Sequence, residues 1–96
     1  MAIKGLRLLS GEEILGDVTA LEDGVSIKNP CALSFGQNPQ KPTLSFVPLL
    51  PHAVEDVVSI SNTMIVFQYT PMEQLVNKWN EIYGNGLVMP NSDLQL

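Results

Sequence analysis

The chain has 96 residues, of which 45% are hydrophobic and 16% charged, with a formal net charge of −5. This length supports one domain with a single modest core, exposing roughly 5,400 Å² of the roughly 15,000 Å² that the unfolded chain presents, and the balance of apolar to charged residues excludes intrinsic disorder. The lone cysteine, Cys31, excludes a disulfide framework and a Cys-paired zinc site and points to a reducing, cytoplasmic setting.

Lys4 and Arg7 interrupt any apolar run at the start, so no signal peptide is expected, and no stretch is long enough to cross a bilayer. Residues 1–50 carry a net charge of −1 and residues 51–96 a net of −4. Nucleic-acid affinity rests on cations that displace counterions from phosphates. Five Lys and Arg in all leave a single copy a poor non-specific binder.

Ile3 to Leu9 reads as a strand ending at the turn dipeptide Ser10-Gly11. Glu12 to Leu21 alternates with period two, placing Ile14, Gly16, Val18 and Ala20 on one face and Asp17 and Thr19 on the other. Gly16 in mid-strand signals a bend or a close backbone approach. Glu22-Asp23-Gly24 is a hairpin turn. Val25, Ile27, Cys31, Leu33 and Phe35 then share one face, opposite Ser26, Lys28 and Ser34, and Pro30 requires this strand to bend, bulge or sit at an edge.

Gly36 to Pro42 is a polar loop, and Leu44 and Phe46 alternate with Thr43 and Ser45 in a short strand. Pro48 and Pro51 bracket an excursion through His52 to Asp56. Val57 to Ile60 and Met64 to Tyr69 are further strands, separated by a tight turn at Ser61-Asn62. Thr70-Pro71-Met72-Glu73 forms a capping box, which predicts a helix over about residues 71–83 with an apolar stripe of Met72, Leu75, Val76, Trp79, Ile82 and Tyr83. Gly84 stands where a left-handed C-cap would stop it, and residues 85–96 form a tail without periodicity.

Five or six short strands and one terminal helix predict an all-β domain, a small, strongly bent antiparallel barrel over residues 1–84. The helix is expected to cover its open end or one face. No catalytic constellation stands out, and no enzyme activity, metal or cofactor is expected. His52 with Glu55 and Asp56 is read as a solvated loop, Cys31 as a core residue, and the adjacent pairs Glu12-Glu13 and Glu55-Asp56 as surface charges.

Gly11-Glu12-Glu13-Ile14-Leu15-Gly16-Asp17-Val18, followed by Asp23-Gly24-Val25-Ser26-Ile27, resembles the first motif of the Sm-like (LSm) family, with Ser26 where the family has Asn. Ile60-Ser61-Asn62 and Ile65-Val66-Phe67 fall on the second motif and keep its apolar frame, but its Arg-Gly is replaced. The match covers about residues 3–30 and 57–69. Leu9-Ser10-Gly11-Glu12-Glu13, Ile27-Lys28-Asn29-Pro30 and Tyr69-Thr70-Pro71 also resemble small Sm-like proteins of tailed bacteriophages and marine bacterial sequences, and this second likeness spans most of the chain. The family's helix usually precedes the barrel, whereas here it follows.

The resemblance implies an Sm-like barrel that joins edge to edge with copies of itself, the fourth strand of one subunit pairing with the fifth of the next. Met64, Ile65, Val66, Phe67 and Tyr69 are then the interface candidates, on a strand that would be an aggregation hazard as a free edge. It also implies single-stranded RNA as a partner, held on the loops that carry Asp23, Ser26, Lys28, Ser61 and Asn62. The missing Arg and the acidic charge favour the other class of function, a structural or protein-interaction module that has kept the barrel and lost the RNA site. No membrane partner is expected.

Overall fold

The computed structural model describes residues 2–36, 43–50, 53–54 and 56–84, and the backbone of 92–95. Alternating apolar residues and tight turns generate β1 (Ile3–Leu8), β2 (Glu13–Ala20), β3 (Gly24–Phe35), β4 (Thr43–Pro48), β5 (Val57–Ser61) and β6 (Ile65–Tyr69), with α1 (Glu73–Tyr83) and a short β7 (Ser92–Gln95) after them. All pairings are antiparallel and follow the order β6-β1-β2-β3-β4-β7, while β5 pairs with β3. The chain is mostly β, a small barrel-like fold with one helix.

The curl is visible in what shares a core. Leu6 and Leu8 of β1, Ile14 of β2, and Val25 and Ile27 of β3 are buried together, with Val58 and Ile60 of β5 and Ile65 of β6 packed against them. β5 and β6 terminate opposite ends of the run β6-β1-β2-β3-β5, so a flat sheet could not bring both to one cluster. A 3-10 turn at Asn62–Met64 joins them. Met64 therefore belongs to this turn and not to the strand that the sequence suggested.

The long strand β3 changes partner midway. Gly24 to Lys28 pairs with β5, and Cys31 to Phe35 pairs with β4. Between them Asn29 adopts a φ of 53°, a left-handed conformation that Asn tolerates better than most residues, and the β2–β3 register slips between Leu15 and Asp17. Gly16 lies in this slip: a Cβ there would collide with Ile27 and crowd the Lys28 carbonyl, so the bend depends on a residue without a side chain.

The bulge also changes which residues share a face. Val25 and Ile27 point into the barrel, whereas Cys31, with Leu33 beside it, turns to the outer surface. The single apolar face read along residues 25–35 is thus two faces. β2 likewise buries Ile14 on the inside and Leu15 on the outside.

On that outer surface Leu15, Cys31, Leu44 and Phe46 form a second core with Leu75, Trp79, Ile82 and Tyr83 of α1. The helix therefore covers a face of the sheet and leaves the barrel's end alone. Burying its four apolar side chains contributes roughly 1.5–3 kcal/mol each. The Trp79 indole N–H donates to the Asn29 carbonyl at 3.1 Å, which ties the helix to the bulge.

The helix ends differ from the expected pattern. The N-cap is Met72, with no side-chain capping bond, because the Thr70 hydroxyl accepts instead from the Lys4 ammonium at 3.0 Å. Met72 is exposed and lies off the buried stripe. Gly84 closes the helix with a right-handed φ of −67°, its N–H donating to the Asn80 carbonyl. In the tail, Ser92–Gln95 pairs along the outer edge of β4, which a strand without that cover would leave unsatisfied. Gln37 to Pro42, Pro51, His52 and Glu55 lie outside the described residues.

Candidate functional site

Two loops carry most of the residues singled out for RNA. The β2–β3 hairpin and the end of β5 are held side by side by the Asn62 N–H, which donates to the Asp23 carbonyl at 2.9 Å. Gly24 stands opposite Ser61 in the ladder, and Ser26 opposite Ser59. Between the loops lies a pocket of about 360 Å³ lined by Leu21, Glu22, Asp23, Gly24, Ser59, Ile60 and Ser61.

Asp23, Ser61 and Asn62 are thus brought together, with Ser26 two residues along the strand. Lys28 is not. At about 3.3 Å per residue it stands about 13 Å from Gly24, where it pairs in register with Asp17 and Val57. The pocket therefore presents the carboxylates of Glu22 and Asp23 with hydroxyls and no cation, a field that repels phosphate. Ser61 has a structural task as well: its hydroxyl accepts from the Thr63 N–H at 3.3 Å and caps the 3-10 turn.

The proposed interface residues divide in a similar way. Val66 and Phe67 are about half exposed, at 54% and 49%, and Met64 is exposed at 42%. Ile65 packs into the barrel core. Tyr69 lies across Gly5, where any Cβ would strike its ring, and its hydroxyl donates to Glu13 Oε2 at 2.9 Å while Arg7 holds Oε1 at the same distance. Burial, and then the bond to Glu13, push the Tyr69 hydroxyl up to about 12. This side chain braces β6 against β1 and β2.

The strand edges matter more than the side chains alone suggest. Among the described residues β5 pairs only with β3, and β6 only with β1. Each leaves its other edge unpaired. Sequence reasoning singled out β6 but passed over Val57 and Ser59 on β5, although the alternation of exposed and half-buried residues from Val57 to Ser61 is the pattern of a strand with one wet face.

Cys31, the one nucleophile weighed, is buried and its thiol is pushed up to about 12, chiefly by desolvation. Its Sγ donates to the Leu15 carbonyl at 3.5 Å. A thiol so placed supplies no thiolate near neutral pH. Among the described residues no helix is long and apolar enough to cross a membrane. No protein-family model matches the chain, and no curated protein is significantly similar to it.

Proposed function

We propose that this chain is a non-enzymatic Sm-like module of the cytoplasm that assembles with copies of itself through its strand edges and serves as a structural or protein-interaction ring. The observation that carries the reading is the pair of unpaired edges on β5 and β6, one on each side of the barrel, with Val57, Val66 and Phe67 exposed along them. A strand edge left open in this way is an aggregation hazard unless something pairs with it. Two different edges give a heterologous contact that repeats from copy to copy and closes when the rotation allows. The order β6-β1-β2-β3-β5 with a 3-10 turn between β5 and β6 is compatible with the resemblance to the Sm-like family.

RNA binding is the reading this proposal displaces. Its loop residues gather around a pocket with two carboxylates, and the one candidate cation, Lys28, stands away from them. Size-exclusion chromatography with light scattering, followed by titration of labelled oligo-U and oligo-A at low salt, separates the readings. A multimer that leaves both oligonucleotides free is the expected result. A 10.5 kDa species at every concentration contradicts assembly, and saturable binding weakened by Lys28→Ala restores the RNA role.

A further inference from the structure

The outer edge of β4 is occupied from within the chain, and by very little. The Gly36 N–H donates to the Thr43 carbonyl at 2.7 Å and the Leu49 N–H to the Pro30 carbonyl at 3.2 Å, so the odd-numbered residues along β4 turn their backbone groups to β3. Alternation leaves the N–H and C=O groups of Leu44 and Phe46 facing away from β3. There they meet β7, with Leu94 opposite Leu44 and Ser92 opposite Phe46. Pro48, the next residue of that phase, has no N–H to donate, so the ladder cannot lengthen past Phe46 with full bonding. β7 is thus joined to the sheet through two bonded residue pairs, and among the described residues β4 is its one partner strand.

The layer beneath is built from other elements. Among the described residues, the buried side chains of the helix-side core come from β2, β3, β4 and α1. Leu44 and Phe46 belong to it, so their side chains are fixed against α1 while their backbone groups point outward in the plane of the sheet. β4 therefore offers a rigid bonding edge that a short piece of backbone fills. Extended peptides add to such an edge as a further strand, the main-chain bonds giving affinity and the alternate side chains specificity.

We propose that the outer edge of β4 is a strand-addition site for an extended segment of another protein, and that β7 is its built-in occupant, which the partner displaces. The pairing with β7 states what the partner must offer. It runs antiparallel to β4 along Thr43 to Phe46. The residues opposite Leu44 and Phe46 must carry an N–H, which excludes proline there. Directly opposed residues of an antiparallel pair share a face, so those two positions fall on the helix side of the sheet, and an apolar residue is favoured opposite Leu44. β7 has Leu94 at that position, and Asp93 at the intervening one opposite Ser45, on the other face. A competing segment makes the same main-chain bonds as β7. The tether raises the effective concentration of β7, so a free segment wins when it fits better or is abundant. The site is separate from the edges of β5 and β6, and it stands whether or not the chain assembles with itself.

Full-length Leu94→Pro protein tests the site, because proline breaks one of the two bonded pairs of β7 and leaves β4 untouched. The probe is the fluorescein-labelled peptide Asn-Ser-Asp-Leu-Gln-Leu, the sequence of residues 91–96. The variant should keep native Trp79 emission and bind the peptide saturably. Native protein, whose tethered strand competes, should bind it about tenfold more weakly or less. The same peptide with proline in place of its first leucine should bind neither protein. In hydrogen–deuterium exchange of the native chain, the Leu44 and Phe46 amides should open more readily than the Ser45 amide, which serves β3. They should exchange fastest in the variant and slow again when peptide is added. A folded variant that takes up no peptide overturns the proposal, and if it also grows into a larger multimer than native protein, the edge belongs to a second copy. A variant that does not fold overturns it too, since β7 is then framework. Native protein that binds as tightly as the variant, or Leu44 and Phe46 amides that open only with the whole molecule, deny β7 the role of a displaceable occupant.

Discussion

The two cores differ in how completely they are sealed. On the helix side Phe46, Trp79 and Ile82 are 1–3% exposed, and the layer is finished within one chain. In the barrel Leu6, Ile14 and Ile27 are fully buried, yet Val58, Ile60 and Ile65 remain half open along the seam between β5 and β6. The helix-side core is a device for folding. The barrel core is closed except along β5 and β6, where among the described residues two strand edges are also unpaired, and the proposed assembly rests on that coincidence.

Substitutions should separate the cores in order of effect, each measured by chemical denaturation at one fixed protein concentration, since assembly makes stability concentration-dependent. Trp79→Ala should be the most damaging, at about 3–5 kcal/mol, because it empties the centre of the helix layer and orphans the Asn29 carbonyl. Gly16→Ala should cost about 1–3 kcal/mol, since the new methyl group presses on Ile27 at the bulge from which both cores take their direction. Tyr69→Phe removes a half-buried bond to a carboxylate that Arg7 still holds, a loss of about 0.5–1.5 kcal/mol. Phe67→Ser should leave the stability of the isolated chain within about 0.5 kcal/mol, because its ring is about half exposed, and on the proposed assembly it should sharply lower the assembled fraction.

Alkaline pH should sharpen the same contrast. Cys31 rises from 9.0 to about 12, and Tyr83, buried in the same layer, also rises, mainly through desolvation. These groups resist ionisation when folded, so the unfolded chain loses its protons first. Stability should hold below about pH 9 and fall from there toward pH 12, as a pH series of denaturation midpoints would record. Cys31→Ala should remove the lower part of that fall.

Much of the fold was legible because it depends on local pattern: the alternation in β4, the Glu22-Asp23-Gly24 turn, Pro30 as a point of distortion, and the amphipathic helix. What escaped depends on partners far along the chain. Thr70 looked like a cap, but Lys4, distant in sequence, took its hydroxyl. Leu15 fell outside the period-two reading because β2 is buried on both faces, which no single-face pattern can reveal. The edge-covering role of Ser92–Gln95 exists only once β4 is in place.

The candidate site divides along the same line. Asp23, Ser61 and Asn62 meet because hairpin ends gather where their strands pair. Lys28, close to Ser26 in sequence, is carried away by the extended strand between them and the turn. The free edge of β5 could not be read from composition, since an edge is defined by what does not pair with it.

Hydrogen–deuterium exchange of the native protein at high and low concentration probes the seam most directly. At high concentration the amides of Val57, Ser59, Ser61, Val66 and Gln68 should slow toward the rates of Val58 and Ile60, and on dilution they should become fast again. Rapid exchange at those five positions at every concentration would contradict the account.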